Sequence, residues 1–295
     1  MNPQSPKILI IGLGQIGYHN AEYMTSLGMR IDGYDLKKSA VERALKSRVI
    51  QKEAKTFQGY DYYVICVSTH DPENMSQPSL DGLLETADRL EEEGEEGRLV
   101  SIESTIPKGV SRRVNDVLGH RLHVAHVPHR FYSEEKREHG VRQLRVLGGC
   151  EPCCVQEALG FYAGVLNIPV HCVRSVDLAE LSKIVENAHR FLEIAFAEEL
   201  KMFCDGEGLD FEELRVAVNS KWNTRILEAR EGIGGHCLPK DTRMLVDLQK
   251  SVLPCSTLSA AVQSDMSYRI KLDGKDGCEF VVPQLVSLDC GSIVK

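Results

Sequence analysis

The chain has 295 residues, of which 42% are hydrophobic and 26% are charged, and its formal net charge is -8. This length allows two modest domains, and the negative charge argues against a broad nucleic-acid-binding surface. No stretch is long and apolar enough to span a bilayer, and the N-terminus lacks a charged segment ahead of a hydrophobic run. We therefore expect a cytoplasmic protein without nucleic-acid or membrane partners, whose ten cysteines are mostly reduced thiols.

The first elements predict a dinucleotide site. Residues 7–11 form an apolar, β-branched run that is typical of a buried strand. A G-x-G-x-x-G motif follows directly, made of Gly12, Gly14 and Gly17, and a helix leads from it to a second strand that ends at Asp35. In this context the glycines allow close approach to a pyrophosphate, while Asp35 would bind the adenosine ribose and so favour NAD over NADP. The alternative is a glycine turn without a ligand.

Strands and helices continue to alternate up to about residue 172. Five further apolar runs predict buried strands, at 61–70, 97–107, 122–128, 144–149 and 168–173. Helical patterns separate most of them, for instance at 79–93 and 152–165. This alternation predicts an α/β, Rossmann-type parallel sheet covered by helices on both faces, which we assign to residues 1–172.

From Asp177 the pattern becomes helical. Apolar residues recur every three or four positions, at Leu178, Leu181, Val185, Ala188, Leu192 and Ala195. This spacing predicts one amphipathic helix of about two dozen residues or more. A second helix should begin at Asp210, with Glu213 completing a capping box. We assign residues 173–272 to an all-helical domain and residues 273–295 to a C-terminal tail that forms a short strand pair or is poorly ordered.

Two polar residues of the long helix are candidates for catalysis. Lys183 and Asn187 are four positions apart and therefore share one face of the helix, away from the apolar stripe. A solvated polar face is the simplest interpretation of such a pair. The functional interpretation is a lysine that polarises a substrate hydroxyl or oxyanion, as in a two-electron dehydrogenase of the hydroxy-acid type.

A glycine-rich segment, EGIGGHCLPKDTRML at 231–245, contains the most informative cysteine. Cys237 follows three glycines and precedes a Lys-Asp pair. A small buried thiol is a common role for a free cysteine, but a cysteine in this setting is better suited to act as a nucleophile.

Together these motifs resemble the UDP-glucose/GDP-mannose dehydrogenase family, the NAD-dependent nucleotide-sugar 6-dehydrogenases. The resemblance covers most of the chain in order. KILIIGLGQIG with Asp35 resembles the family's NAD site, CVSTH at 66–70 its C-V-P-T-P strand end, and STIPKG at 104–109 its S-T-V-P-x-G. AELSKIVENAHRFLEIAFAEEL is similar to its central helix, and GIGGHCLPKD to its G-G-[SH]-C-x-x-x-D loop. The resemblance leaves open whether the sugar is glucose, mannose or an N-acetylhexosamine.

The resemblance implies a set of site residues. Those that would contact NAD are Gly12, Gly14, Gln15, Ile16, Gly17, Asp35, Val67, Ser68, Thr69 and Thr105. Those that would act in catalysis are Cys237, Lys183, Asn187, Asp241, Thr105 and His129. Those that would bind the substrate are Arg225, Gly234, Gly235 and His236. The long helix would also build a homodimer.

Enzymes of this family oxidise a C6 primary alcohol to a carboxylate and use two NAD. In this chain the Cys237 thiolate would capture the aldehyde as a thiohemiacetal, and a second oxidation would give a thioester that water hydrolyses. Lys183 would stabilise the oxyanions, and Asp241 with Thr105 would orient or activate the water. The thiol would need a lowered pKa, which Lys183 or His236 is expected to supply.

Three departures from the family pattern bear on this expectation. His129 stands where the family has a glutamate, and Glu198 stands at the asparagine of its F-A-N-E segment. The family chain also continues into a third domain that closes over the nucleotide, whereas only about twenty residues follow Leu272 here. We therefore keep open a site completed by a partner chain, a smaller substrate, and a catalytically degenerate NAD-binding protein or subunit.

Two other patterns are discounted as metal sites, so we expect no metal. Cys150 and Cys153 form a C-x-x-C, but no second C-x-x-C or H-x-x-x-H pair follows them. His123, His126 and His129 are spaced by three in a predicted strand, where successive members point to opposite faces.

Overall fold

The structure of the chain, a computed structural model, describes residues 5–71, 73, 78–131, 140–235, 237–253 and 255–273. Contacts divide the chain into two compact units, one of Met1–Arg190 with Gly235–Pro254 and the other of Phe191–Gly234 with Cys255–Lys295. The domain boundary at residue 172 stays a prediction. Residues 274–295, which make up nearly all of the predicted tail, lie outside the described residues.

One sheet forms the centre of the first unit. Its strands are β1 (Lys7–Ile11), β2 (Arg30–Tyr34), β3 (Tyr62–Ile65), β4 (Leu99–Ile102), β5 (His123–His126), β6 (Arg145–Gly149) and β7 (Val170–Cys172). Their order across the sheet is β2-β1-β3-β4-β5-β6-β7. Successive residues of β1 enter different hydrophobic cores, with Ile8 and Ile10 on one face and Leu9 and Ile11 on the other. The predicted Rossmann-type α/β architecture is confirmed.

The last two strands correct the prediction of a wholly parallel sheet. Strands β1 to β5 are parallel, but β6 pairs antiparallel with β5, with Ala125 opposite Gly149, and β7 runs parallel with β6. A parallel neighbour needs a long crossover connection, usually a helix. Residues 127–131 and 140–144, the described part of the β5–β6 connection, contain no helix, so they supply no such crossover.

Helices cover the sheet and form the second unit. They are α1 (Gln15–Ser26), α2 (Lys38–Lys46), α3 (Asp81–Glu93), α4 (Val110–Val117), α5 (Pro152–Leu159), α6 (Val176–Glu207), α7 (Phe211–Asn219), α8 (Cys237–Gln249) and α9 (Thr257–Leu272). A π-helical turn, Gly160–Val165, continues α5. The predicted cap of α7 is confirmed, because the Asp210 carboxylate accepts a hydrogen bond from the Glu213 backbone N–H at 2.9 Å.

The long amphipathic helix is confirmed as α6, which has 32 residues. Its predicted apolar stripe divides into two parts. Ala188 and Ala195 are buried, whereas Leu178 is 51% exposed and Val185 is 48% exposed. The helix therefore keeps an exposed apolar edge beside its buried one. Among the helices that the structure describes, none combines the length and the apolarity needed to cross a membrane.

Two carboxyl groups are buried side by side in the second unit. Glu198 of α6 is fully buried, and Asp265 of α9 is 7% exposed. Asp265 accepts a hydrogen bond from the Ile233 N–H at 2.8 Å and is paired with Arg269 at 3.0 Å, so it anchors the chain just ahead of the last glycines of the glycine-rich segment. Burial, reinforced by the neighbouring Asp265, raises the pKa of Glu198 to about 7.

This raised pKa makes the stability of the second unit depend on pH. The pKa lies above the ordinary value of 4.5, so the contribution of Glu198 is complete below pH 4.5 and is lost as the pH rises through about 7. We expect Glu198→Gln, which cannot ionise, to raise the free energy of unfolding by about 2 kcal/mol at pH 8 and to change it little at pH 4.5. Urea unfolding at the two pH values measures the difference.

Glu199→Gln is the matched control, because Glu199 is the exposed neighbour on the same helix. It should change the free energy of unfolding by less than about 0.5 kcal/mol at either pH. An equal effect of Glu198→Gln at both pH values would contradict the assignment.

Candidate active site

The glycine motif forms an open cradle at the start of α1. Gly12 has a φ of +92°, and a Cβ at Gly17 would lie 1.8 Å from the Gly12 carbonyl oxygen, so both positions require glycine. A Cβ at Gly14, by contrast, would meet no protein atom within 4 Å. The backbone at Gly14 is therefore accessible to a ligand at the head of α1, and this cradle fits the pyrophosphate of a dinucleotide.

The Asp35 carboxylate lies at the edge of this cradle and binds its backbone. One carboxylate oxygen accepts a hydrogen bond from the Leu13 N–H and the other from the Lys37 N–H, both at 2.7 Å. Each oxygen keeps a further lone pair, so a ribose hydroxyl can still donate to it. Gln15 and Ile16 form the first turn of α1, where Gln15 is exposed and Ile16 is half-buried.

The two motifs that follow β3 and β4 are joined to each other. Val67, Ser68 and Thr69 follow β3, and the S-T-I-P motif follows β4. Because β3 and β4 are parallel neighbours, both motifs leave the sheet at the same edge. The Ser104 hydroxyl donates to the Val67 carbonyl at 2.6 Å, and the Thr69 hydroxyl donates to the Thr105 carbonyl at 2.8 Å.

A continuous chain of polar contacts links this edge to α6 and α8. Lys183 Nζ donates to Asn187 Oδ1 at 3.1 Å, and Asn187 Nδ2 donates to Asp241 Oδ2 at 2.5 Å. The other oxygen of Asp241 is 2.9 Å from Lys240 Nζ. Lys240 Nζ also donates to Thr69 Oγ1 at 3.2 Å. The structure therefore brings together the predicted residues of three separate motifs.

Sequence reasoning missed Lys240, which is only 3% exposed. Lysine is almost never fully buried, so the sequence favours a solvated side chain at this position. Pro239 could have marked the start of a helix, because proline is tolerated in a first helical turn and Pro239 lies in the first turn of α8. Once α8 is recognised as a helix, Lys240 and Asp241 fall three and four positions after Cys237, on its side of the helix.

Cys237 is the first residue of α8, and the residue is exposed on one side. The expectation of a lowered pKa is wrong, since burial of the thiol and the Asp241 carboxylate raise the pKa of Cys237. Lys240 and Lys183 lower the pKa of Cys237, but by less than burial and Asp241 raise it. Burial is the largest of these causes. His236, the other expected source, lies outside the described residues.

The structure places His129 in a buried polar cluster. Its Nδ1 accepts a hydrogen bond from the Phe131 N–H at 2.9 Å, and its Nε2 lies 2.8 Å from Arg145 Nη2 and 3.1 Å from Asn20 Oδ1. Burial, followed by the charge of Arg145, holds the pKa of His129 well below its ordinary value. His129 is therefore neutral, and both ring nitrogens are engaged.

Glu103 is the centre of that cluster and was also missed from the sequence. Its carboxylate accepts hydrogen bonds from Arg145 at 2.6 Å, from Asn20 at 2.7 Å and from the Tyr162 hydroxyl at 2.6 Å. Glu103 directly precedes Ser104, so the cluster fixes the start of the motif after β4.

The predicted substrate-binding residues fall in different parts of the chain. Arg225 and Gly234 belong to the second unit, and both are exposed. Gly235 belongs to the first unit and has a φ of +75°, which favours glycine there. The structure records no polar partner for Arg225 within the described residues.

Comparisons with known proteins point to one family. Residues 177–266 match the model described as the UDP-glucose/GDP-mannose dehydrogenase family, central domain. The chain is 30% identical to an NDP-N-acetyl-D-galactosaminuronic acid dehydrogenase of Ralstonia nicotianae, over 81% of this chain and 64% of that protein. It is 26% identical to a UDP-N-acetyl-D-mannosamine dehydrogenase of Methanococcus vannielii, over 82% of this chain and 61% of that protein.

A solved structure shares the fold. The UDP-D-ManNAc dehydrogenase of Pyrococcus horikoshii superimposes with a TM-score of 0.78 and 24% identity, over 91% of this chain and 70% of that one. The chain spans less than two thirds of the length of the Ralstonia nicotianae and Methanococcus vannielii proteins.

The glycine cradle predicts opposite effects for two alanine substitutions. Gly17→Ala should lower the free energy of unfolding by about 2 kcal/mol or more, because its Cβ would overlap the Gly12 carbonyl. Gly14→Ala should cost less than about 1 kcal/mol but weaken dinucleotide binding roughly tenfold or more, because its methyl group would occupy the open cradle. Thermal unfolding and NADH fluorescence titration measure the two effects. Unchanged NADH affinity in Gly14→Ala would contradict this site.

The buried lysine predicts a large effect on stability. Lys240→Met should cost about 3 kcal/mol, because Asp241 would remain buried without its counter-charge. Lys250→Met is the matched control, since Lys250 is exposed and pairs with the exposed Asp247. It should change the free energy of unfolding by less than about 0.5 kcal/mol. Similar values for the two variants would show that the Lys240–Asp241 pair is not buried in solution.

Proposed function

The chain belongs to the UDP-glucose/GDP-mannose dehydrogenase family, and we propose that it oxidises the C6 primary alcohol of a nucleotide sugar to the carboxylate. The observation that carries the proposal is the contact chain from Lys183 through Asn187 and Asp241 to Thr69. Cys237 lies one helical turn before Asp241. A cation, a carboxylate and a thiol therefore lie near the ends of the strands. A UDP-linked or GDP-linked sugar, N-acetylated or not, is the substrate class.

NAD is the proposed cofactor. It would supply the hydride acceptor for each oxidation. The cradle at Gly14 would hold its pyrophosphate, and Asp35 would bind the ribose hydroxyls and repel the extra phosphate of NADP. Val67, Ser68 and Thr105, at the ends of neighbouring strands, would lie along the rest of the dinucleotide.

Lys183 would act in the first oxidation, which turns the alcohol into an aldehyde. Its ammonium group would donate a hydrogen bond to the substrate oxygen and stabilise the negative charge that develops there. Asn187 would hold the ammonium in position, because its amide oxygen accepts from Lys183 Nζ at 3.1 Å.

Cys237 would act in the second oxidation. Its sulfur would add to the aldehyde carbon, forming a C–S bond and a thiohemiacetal. Loss of a second hydride from that carbon, together with loss of the hydroxyl proton to solvent, would give a thioester. Since the pKa of Cys237 is raised, the thiol must release its proton as it adds, and we assign Asp241 on the same helical face to accept it. Water, oriented by Asp241 and Thr105, would then break the C–S bond and release the carboxylate.

His129 would have a positioning role in this scheme. Its ring nitrogens contact the Phe131 N–H on one side and Asn20 with Arg145 on the other, so it would hold this buried cluster in place while the water is activated elsewhere. Arg225, Gly234, Gly235 and His236 are proposed to contact the nucleotide sugar.

A homodimer is the proposed assembly. Alongside Leu178 and Val185, α6 exposes Phe196 at 48% and Phe203 at 57%. Each pair is separated by seven residues, so each lies along one side of the helix. Burying these side chains against a second copy would remove apolar surface from water. A partner chain could also contribute to the substrate site.

A two-electron dehydrogenase that uses only Lys183 and Asn187 is the second candidate. The direct contact between these two residues supports it, since it does not depend on a thiol. A degenerate NAD-binding protein is the third, and it would bind NADH without reducing NAD with any sugar.

The number of NADH formed per sugar separates these candidates. With UDP-sugars and GDP-sugars as substrates, the wild type should form two NADH per molecule converted. Cys237→Ser should lose about a hundredfold or more in acid formation and release at most one NADH, because no thioester can form. Cys255→Ser, which removes another exposed cysteine, should keep the wild-type rate. Full turnover by Cys237→Ser would favour the two-electron reaction.

A further inference from the structure

Three metal-ligating side chains converge at the edge of the sheet opposite the glycine cradle. They are His123, Cys153 and Cys154, and their ligand atoms all lie within 4.8 Å of one another. His123 Nδ1 is 3.8 Å from Cys154 Sγ. None of these residues takes part in the proposed oxidation of a sugar.

The strand directions explain the convergence. His123 begins β5, so it lies at the amino edge of the parallel strands, whereas the glycine cradle follows the carboxyl end of β1. Because β6 runs antiparallel to β5, its end returns to the amino edge, and α5 begins there. The first turn of α5 therefore brings Cys153 and Cys154 beside His123.

The spacing of the three ligand atoms suits a tetrahedral ion. Zinc binds sulfur at about 2.3 Å and imidazole nitrogen at about 2.0 Å, which puts neighbouring ligand atoms roughly 3.6–3.8 Å apart. The distance of 3.8 Å between His123 Nδ1 and Cys154 Sγ already has this value. The other ligand atoms are at most 4.8 Å apart, and small side-chain rotations would bring them to the distances that zinc requires. Oxygen-preferring cations such as Mg²⁺ would find no carboxylate within this group.

Charge and burial are also compatible with such an ion. Two thiolates would balance the charge of a divalent cation. Cys154 is buried, His123 is half-buried and Cys153 is exposed, so the cation would have a packed inner side and an open outer side. Cys150, the other cysteine of this segment, directs its thiol to the Ser111 carbonyl at 3.5 Å, which leaves the fourth position to water.

We propose that His123, Cys153 and Cys154 bind one Zn²⁺ ion, which ties the start of α5 to the start of β5. Binding removes the protons of both thiols, releases them to solvent and leaves the cysteines unoxidised. The sequence did not suggest this site, because His123 lies on β5, far from α5 in the sequence, and the two cysteines are adjacent instead of forming a C-x-x-C pair.

Co²⁺ and Zn²⁺ titrations of the full-length, reduced, metal-free chain test the proposal. The parent protein carries Cys237→Ser, so that the thiol of the candidate active site does not contribute. We expect one equivalent of Co²⁺ to give sulfur-to-metal charge-transfer absorption and the visible bands of a tetrahedral ion. Zn²⁺ should displace it, and competition with a chromophoric chelator gives the affinity.

Ligand variants locate the ion. Cys153→Ser with Cys154→Ser should abolish the charge-transfer absorption, and His123→Gln should weaken binding tenfold to a hundredfold. Cys172→Ser, which removes an exposed cysteine at the end of β7, should bind as the parent does. Circular dichroism of the metal-free proteins checks that each variant is folded.

Two outcomes would overturn the proposal. One is a Co²⁺ spectrum without sulfur charge transfer in the parent protein. The other is undiminished Zn²⁺ affinity in the folded double cysteine variant. Neither outcome depends on the oxidation of a sugar, so the result is separate from that of the proposed function.

Discussion

The buried ion pair between Lys240 and Asp241 is the contact on which the candidate active site depends. Taking two charges out of water is costly unless each charge is also hydrogen-bonded. Here Asp241 accepts from Asn187 on α6, and Lys240 donates to Thr69 after β3. The pair therefore fixes the start of α8 against both the long helix and the sheet edge. Cys237 is the first residue of α8, so its position follows from this pair.

A second buried ionic cluster supports the same edge from within the sheet. Arg145 and Glu103 are 1% and 2% exposed, and Glu103 also binds Asn20 and Tyr162. This cluster explains how His129 fits where the family has a glutamate. His129 Nε2 is 3.8 Å from the Glu103 carboxylate, and a glutamate there would put a second negative charge beside it. A neutral histidine adds no second negative charge to the cluster.

The parts of the fold that depend on local patterns were predictable from the sequence. The strands, the 32-residue helix and the Asp210 cap follow from the spacing of apolar and capping residues. The direction of β6 was not predictable, because an apolar run indicates a buried strand but not whether it runs parallel or antiparallel to its neighbour. The burial of Lys240 and the raised pKa of Cys237 were not predictable either. Both depend on burial, which arises only when α8 packs against parts of the chain that are distant in the sequence, such as Thr69.

The same reasoning separates the roles of the cysteines. All three thiols lie in the first turn of a helix, Cys237 in α8 and Cys153 with Cys154 in α5. The residues around Cys237 differ from those around Cys153 and Cys154. Cys237 lies one turn from the Asp241 carboxylate, which is paired with Lys240. Cys153 and Cys154 face an imidazole from another strand, His123, which suits a shared cation. The antiparallel return of β6 puts Cys153 and Cys154 at the amino edge of the parallel strands, whereas α8 is bound to the carboxyl edge through Lys240 and Thr69.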